Sequence, residues 1–262
     1  MFNVLFLGDI VGKPGREVVR QLISQLRSRF AINYCIANGE NAAHGTGLTR
    51  DVADELLNIG VDVLTGGNHT WDKKEILEFI DDYPRVLRPV NYPNGVPGSG
   101  VMLTEVGSPP VPLAVVSLLG RTFMPPVDCP FQAMDKVLAG LPANCLTFVD
   151  FHAEATSEKL ALAHYLDGRV AGLVGTHTHV QTADERLLPK GTAYLSDAGM
   201  CGPYNSVLGV AVAPVVRKFT TGLPARFELA EGPKVLAGVV YRFNLATRRA
   251  VVTPERILTV VP

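Results

Sequence analysis

Gly175-Thr176-His177-Thr178-His179-Val180 follows directly on the apolar run Val170-Ala171-Gly172-Leu173-Val174. The run reads as a short strand buried on both faces, so the two imidazoles emerge where a strand gives way to a loop. In extended chain, residues two apart point to the same side. The spacing therefore predicts both rings on one side, as half of a metal site that needs one or two carboxylates from elsewhere. A His pair by itself is equally compatible with ordinary hydrogen-bonded structure. What decides is whether other strand ends offer complementary ligands.

Working outward toward the N-terminus, the same layout recurs. Phe2–Leu7 is a near-continuous apolar run ending in Gly8-Asp9-Ile10-Val11-Gly12, and Lys13-Pro14-Gly15-Arg16 opens a helix through about Arg29 with Val18, Val19, Leu22, Ile23 and Leu26 on one stripe. The stretch GDIVGKPG has the spacing of neither GxGxxG nor GxxxxGK[ST], which argues against a phosphate-cradling loop. A strand over 32–37 leads to Asn38-Gly39-Glu40-Asn41. Thr49 then stands as an N-cap before a helix over Arg50–Asn58, which Gly60 ends. A strand over 61–65 leads to Gly66-Gly67-Asn68-His69, and Lys73–Ile80 reads as a short helix. Repeated strand, polar loop and helix imply right-handed crossovers and a largely parallel α/β sheet, whose ligands gather beyond the carboxyl ends of the strands.

Toward the C-terminus, residues 84–130 are rich in proline, with strand-like runs over 101–106 and 113–119 and a surface loop or lid over 121–130. A helix over 131–139 precedes a strand over 146–149, whose end is Asp150-Phe151-His152-Ala153-Glu154. A helix from Thr156 or Ser157 to Leu166 follows, then the opening stretch, then a strand over 192–195. The tail alternates over 226–229, 235–243 and 249–252, as half-exposed antiparallel strands do. With no internal repeat or linker, residues 1–262 are expected to form one domain.

The composition is that of an ordinary soluble protein: 262 residues, 47% hydrophobic, 19% charged, formal net charge −1. Without a basic run, no surface for a long nucleic acid is expected, so a nucleotide ligand should be small. Cys35, Cys129, Cys145 and Cys201 lack CxxC spacing and read as free thiols of a reducing compartment. No apolar run reaches the ~18 residues of a membrane span. The expectation is a cytoplasmic enzyme or binding protein off the membrane, with a homo-oligomer left open.

Successive strand ends thus carry Asp9, Glu40 with Asn41, Asn68 with His69, His152, and His177 with His179. Singly, such residues cap helices, fill turns or satisfy cores. Recurring at corresponding places, they imply one shared site. Carboxylates and amides with imidazoles and no thiolate suit Mn, Fe or Zn. The donors exceed what one tetrahedral ion needs and match two octahedral ions sharing a carboxylate, the arrangement that clamps both oxygens in phosphoryl displacement.

In order and spacing, Gly8-Asp9, Asn38-Gly39-Glu40-Asn41, Gly67-Asn68-His69, His152 and Gly175-Thr176-His177-Thr178-His179 resemble the calcineurin-like metallophosphoesterases, whose pattern is DxH, GDxxD, GNH[ED], a later His and GHxH. Val11 stands where that pattern has its first His, and Glu40-Asn41 where it has Asp. These variants are similar to the YmdB-type bacterial branch, whose members are di-metal phosphodiesterases acting on 2′,3′-cyclic nucleotides. The resemblance covers about residues 8–179. It implies a four-layer α/β/β/α sandwich of two mixed sheets flanked by helices. It also implies two transition-metal ions, divalent or trivalent, with Fe and Mn foremost and Zn or Mg as alternatives. Asp9, Glu40, Asn41 and His179 would hold one ion, and Glu40, Asn68, His152 and His177 the other. A metal-bridging hydroxide would attack the diester, and His69 would protonate the leaving oxygen as general acid. His44 is a candidate phosphate contact; Trp71, Phe123 and Tyr204 are candidates to stack on a base. His164, in mid-helix, reads as structural. The alternatives are a phosphomonoesterase or nuclease on the same site, or a module that senses a nucleotide or metal without turnover; His69 argues against the last, since a pure binding site needs no general acid.

Overall fold

Alternate side chains of the first strand enter different layers, and this sets the architecture. The computed structural model describes residues 1–262. Its elements in chain order are β1 (Phe2–Leu7), β2 (Asp9–Ile10), α1 (Gly12–Arg29), β3 (Tyr34–Asn38), α2 (Arg50–Asn58), β4 (Val63–Thr65), α3 (Ile76–Phe79), β5 (Val101–Val106), β6 (Val111–Leu119), α4 (Pro130–Gly140), β7 (Leu146–His152), α5 (Thr156–Leu166), β8 (Gly172–Thr176), β9 (Arg186–Leu187), β10 (Ala193–Leu195), β11 (Met200–Pro203), α6 (Val212–Thr221), β12 (Lys234–Asn244), β13 (Arg249–Ala250) and β14 (Glu255–Val261).

Two mixed sheets result. In the first the order is β2-β11-β12-β1-β3-β4, with β13 and β14 also paired to β12. There β1, β3 and β4 run parallel while β12 is antiparallel to β1. The second has the order β5-β6-β7-β8-β10-β9, parallel from β6 to β10 with an antiparallel strand at each edge.

Leu5 and Leu7 of β1 join α1 and α2 in one buried cluster, with Val18, Leu22, Leu26, Val52 and Leu56. Val4 and Phe6, pointing the other way, join Leu113, Val115, Phe148 and Val174 of the second sheet in another. The far face of the second sheet, with Val149, Phe151 and Leu173, packs on Met134 of α4 and Leu162 and Leu166 of α5. Helices, sheet, sheet, helices: these three apolar seams make the four-layer α/β/β/α sandwich that the resemblance implies. No helix is long and apolar enough to cross a membrane.

Several elements depart from the sequence reading. Thr49 has the extended backbone of an N-cap but makes no side-chain cap bond. The helix expected over Lys73–Ile80 is a single turn, Ile76–Phe79, continued as a 3₁₀ turn over Ile80–Asp82. Residues 226–229 pair only through an isolated Val210–Leu229 bridge. In the tail, β12 is not half-exposed, because it lies inside the first sheet and is covered on both faces; the strand whose faces do alternate is β14, which the sequence reading did not single out. The strand expected to stop at Val149 runs on to His152, which matters for the site.

Candidate metal centre

Along β7, Leu146, Phe148, Asp150 and His152 share the face turned toward the other sheet. The first two are in the apolar seam, and the last two lie at its end, wholly buried. The same step occurs on β3, from Tyr34 and Ile36 to Asn38, on β4, from Val63 to Thr65, and on β8, from Val174 to Thr176. Where the strands run out at their carboxyl ends, the seam between the sheets becomes polar. Asp150 knits it together: Oδ2 accepts from the Thr65 hydroxyl and from Asn38 Nδ2 at 3.1 Å, and Oδ1 from Thr176 Oγ1 at 2.8 Å. Burial pushes its carboxyl up to about 6, against the pull of His152 and the two hydroxyls.

His152 Nε2 is the hub of one donor group. It lies 2.9 Å from Asn68 Oδ1, 3.1 Å from Glu40 Oε1 and 3.1 Å from His177 Nδ1. Glu40 Oε1 also accepts from Asn41 Nδ2 at 3.2 Å. That amide nitrogen is 3.4 Å from His179 Nε2, which is in turn 3.7 Å from Asp9 Oδ1. Glu40 therefore stands between two groups: Asn68, His152 and His177 on one side, Asp9, Asn41 and His179 on the other. Burial opposes ionisation of Glu40, but the facing His152 and the His69 backbone N–H hold its carboxyl well below the usual range. Burial likewise opposes charging of His152, and Glu40, Asp9 and Asp150 overcome it, raising the imidazole to about 9. His177, pushed down to about 4 by burial and by His152, is neutral at neutral pH. A cation drawn to His152 Nε2 competes with the proton there.

Two observations show that this donor set suits cations. Asp9 Oδ1 is buried without any hydrogen-bond partner, and a buried acceptor so left is costly unless something positive meets it. A Cβ on Gly67 would lie 2.3 Å from Glu40 Oε2 and 2.4 Å from His152 Cδ2, so only glycine lets the Asn68 loop come this close. The donors are oxygens and imidazole nitrogens, the set that hard and borderline ions prefer.

The structure corrects the geometry expected of the His pair. His177 and His179 are not in extended chain; both backbones are left-handed, with φ of 101° and 62°, a conformation that costs non-glycine residues on the order of 1–3 kcal/mol. The rings consequently part, His177 Nδ1 toward His152 and His179 Nε2 toward Asp9. Each imidazole is also held from behind. His177 Nε2 is 3.0 Å from Glu154 Oε2, His152 Nδ1 is 2.9 Å from Thr176 Oγ1, and His179 Nδ1 is 3.1 Å from the Leu208 carbonyl. Such partners fix which nitrogen faces a metal. Sequence reading misses all of them. Glu154 lies in a strand-end stretch that the sequence singles out; a backbone carbonyl leaves no trace in a sequence.

His69 sits beside these donors. Its N–H donates to Glu40 Oε2 at 2.9 Å, and its Nδ1 is 2.8 Å from Asp72 Oδ2, another partner not foreseen. Val11, in place of the family's first His, is buried with Met200 and Val235. His44 is exposed, makes no hydrogen bond and is not brought into the cluster. Trp71 packs against the α1/α2 seam and edge-on to Tyr92. Phe123 is 89% exposed, whereas Tyr204 shares a 290 Å³ cavity with His179.

Residues 5–255 match the family described as YmdB-like protein. A Bacillus subtilis (strain 168) protein named 2′,3′-cyclic-nucleotide 2′-phosphodiesterase is 52% identical over 257 residues, covering 98% of this chain and 96% of its own. A hypothetical protein from Thermus thermophilus has a crystal structure that matches with a TM-score of 0.91 at 43% identity, over 98% of this chain and 99% of that one. The structure of a novel phosphatase from Mycoplasma pneumoniae matches at 0.93 with 34% identity, over 99% and 93%. This chain, with its four layers and its paired donor groups around Glu40, belongs to the YmdB-like family of metallophosphoesterase fold.

Proposed function

We propose that the protein hydrolyses small phosphate diesters, 2′,3′-cyclic nucleotides foremost, at a two-ion centre. The observation that carries this is the position of Glu40 between two donor groups, with His69 beside them. Glu40, Asn68, His152 and His177 would hold one ion, and Asp9, Glu40, Asn41 and His179 the other, with the Asn41 amide turned so that its oxygen faces in. Fe or Mn suits this set best. Bound there, two ions would polarise the phosphoryl oxygens and acidify water.

The protein's own groups do the rest. Glu154, Thr176 and the Leu208 carbonyl keep the three imidazoles oriented. Asp72 holds His69 by Nδ1, leaving Nε2 for the substrate. In hydrolysis of a 2′,3′-cyclic ester to the 3′-phosphate, water adds to phosphorus, the P–O2′ bond breaks and O2′ takes a proton. His69 Nε2 delivers that proton as general acid. The relative named as a 2′,3′-cyclic-nucleotide 2′-phosphodiesterase, at 52% identity, supports this choice of bond.

Turnover of 2′,3′-cAMP, 3′,5′-cAMP, bis-p-nitrophenyl phosphate and a phosphate monoester, each with Mn, Fe and Zn, tests the reading. It expects 2′,3′-cAMP to give 3′-AMP at the highest kcat/KM. A preference for the monoester would replace it with a phosphomonoesterase.

A further inference from the structure

The loop that carries His177 and His179 is tied down by a buried ion pair that the proposed chemistry does not use. Lys159 on α5 and Asp197, just after β10, each have side chains 1% exposed, with Nζ 2.8 Å from Oδ2. The same Oδ2 accepts from the Thr178 N–H at 3.1 Å and from Thr178 Oγ1 at 2.8 Å. The other oxygen, Oδ1, accepts from the Gly199 N–H at 2.8 Å, and the Gly199 carbonyl accepts from the Asp9 N–H at 3.0 Å. One carboxylate thus grips the residue between the two imidazoles and, through Gly199, the backbone of Asp9.

Lys159 reaches Asp197 by passing over Gly175. A Cβ there would fall 2.9 Å from Lys159 Cδ and 1.9 Å from the Ser196 carbonyl oxygen, so the glycine is a condition of the pair. Stability alone does not account for this arrangement. Apolar groups of the same shape generally serve a core as well as a buried ion pair or better. The pair differs from such groups in what it offers Thr178: a fixed acceptor for both its N–H and its hydroxyl, midway between two left-handed histidines.

We propose that Lys159 and Asp197 are positioning residues of the metal centre, locking Thr178 so that one short loop delivers His177 and His179 to two different ions. Neither side chain hydrogen-bonds a ligating atom. The inference rests on the reading of those imidazoles as metal ligands.

The test uses the full chain, freed of metal by a chelator and titrated with Mn²⁺ under calorimetry and electron paramagnetic resonance. The wild type should take up two Mn²⁺ and show a spin-coupled pair. The double variant Lys159→Met/Asp197→Asn, which removes both charges and nearly keeps the shapes, should bind at least one Mn²⁺ about 10–100-fold more weakly and lose the coupled signal, while melting cooperatively without metal. Lys159→Arg, which preserves the charge, should retain most of the affinity. If the double variant does not fold, Thr178→Val, which removes only the hydroxyl, should weaken Mn²⁺ several-fold. Wild-type affinity for both ions in the double variant overturns the proposal, as does a lowered melting temperature with unchanged affinity, which would make the pair merely structural. Unchanged affinity in Thr178→Val, should that variant be the one tested, overturns it too. Failure of the wild type to bind Mn²⁺ at all would instead overturn the metal reading beneath it.

Discussion

At one end of the seam between the two sheets, Phe148 lies 5.9 Å from Phe6, 4.9 Å from Tyr241 and 6.3 Å from Phe243. At the other, two and four residues further along the same strand, Asp150 and His152 face Asn38, Thr65, Thr176, Glu40 and His177. Backbone geometry and alternation are the same; only the side chains change. The apolar end gains from burial in a non-directional way and tolerates any filling of about the right volume. The polar end has no such latitude, since each buried donor or acceptor needs a partner in a particular direction. The first end should therefore govern stability and the ligands at the second should govern function, and substitutions can separate them.

The largest effect is expected from Glu40→Ala at the polar end. Glu40 is common to both donor groups, so both ions should be lost and turnover should fall to background, while the circular dichroism and a cooperative melt persist. Two retained ions with intact turnover would refute the shared role. Next is His69→Ala, which should keep both ions and lose about 10²–10⁴ in kcat on 2′,3′-cAMP, or about 2.7–5.5 kcal/mol of barrier. The loss should be smaller for a p-nitrophenyl ester, whose leaving group departs without a proton. Equal losses on both substrates would take His69 out of the acid role. At the apolar end, Phe148→Ala should cost about 3–5 kcal/mol in denaturant unfolding. Turnover per folded molecule should stay near the wild type, and a fall as large as that in His69→Ala would show that the two ends are not separable.

The two ends also differ in how well the sequence reveals them. Phe2–Leu7 or Leu113–Leu119 can hardly be read as anything but covered strands, and side chains grouped in polar stretches after such runs betray a shared site. What stays hidden depends on tertiary partners. In sequence β7 stops at Val149 because burying the Asp150 carboxylate is costly, and the hydroxyls and amide that satisfy it come from β3, β4 and β8. The parting of His177 and His179 is invisible there because histidine, although it enters left-handed backbone more often than most residues, does so only in a small minority of positions, and here that backbone coincides with a contact from Thr178 to Asp197, distant in the sequence. Ser196–Gly199 carries the chain from the second sheet into β11 of the first, and no residue type marks such a crossing.

The smallest effect, and the finest probe of the polar end, is expected from Thr65→Val. The change is nearly isosteric and removes one of the donors that the Asp150 carboxylate accepts, leaving Asn38 and Thr176. Burial already raises this carboxyl to about 6 from an ordinary 3.8. A raised folded-state value means that the folded chain holds the proton more tightly than the unfolded one, so this contribution to stability is present below about pH 4 and is lost as pH rises through about 6. Above that range the wild type buries a carboxylate with its full set of donors, and the variant buries one short of a donor, at a cost of about 1–3 kcal/mol. At pH 5 the carboxyl is largely protonated in both and the difference should shrink. Urea unfolding at pH 8 and pH 5 should thus show the larger loss at pH 8, with metal content and kcat within a few-fold of the wild type, since Thr65 touches no ligating atom. Equal losses at the two pH values would mean that the hydroxyl serves packing rather than the charge of Asp150, and the contrast between the two ends of the seam would rest on the ligands alone.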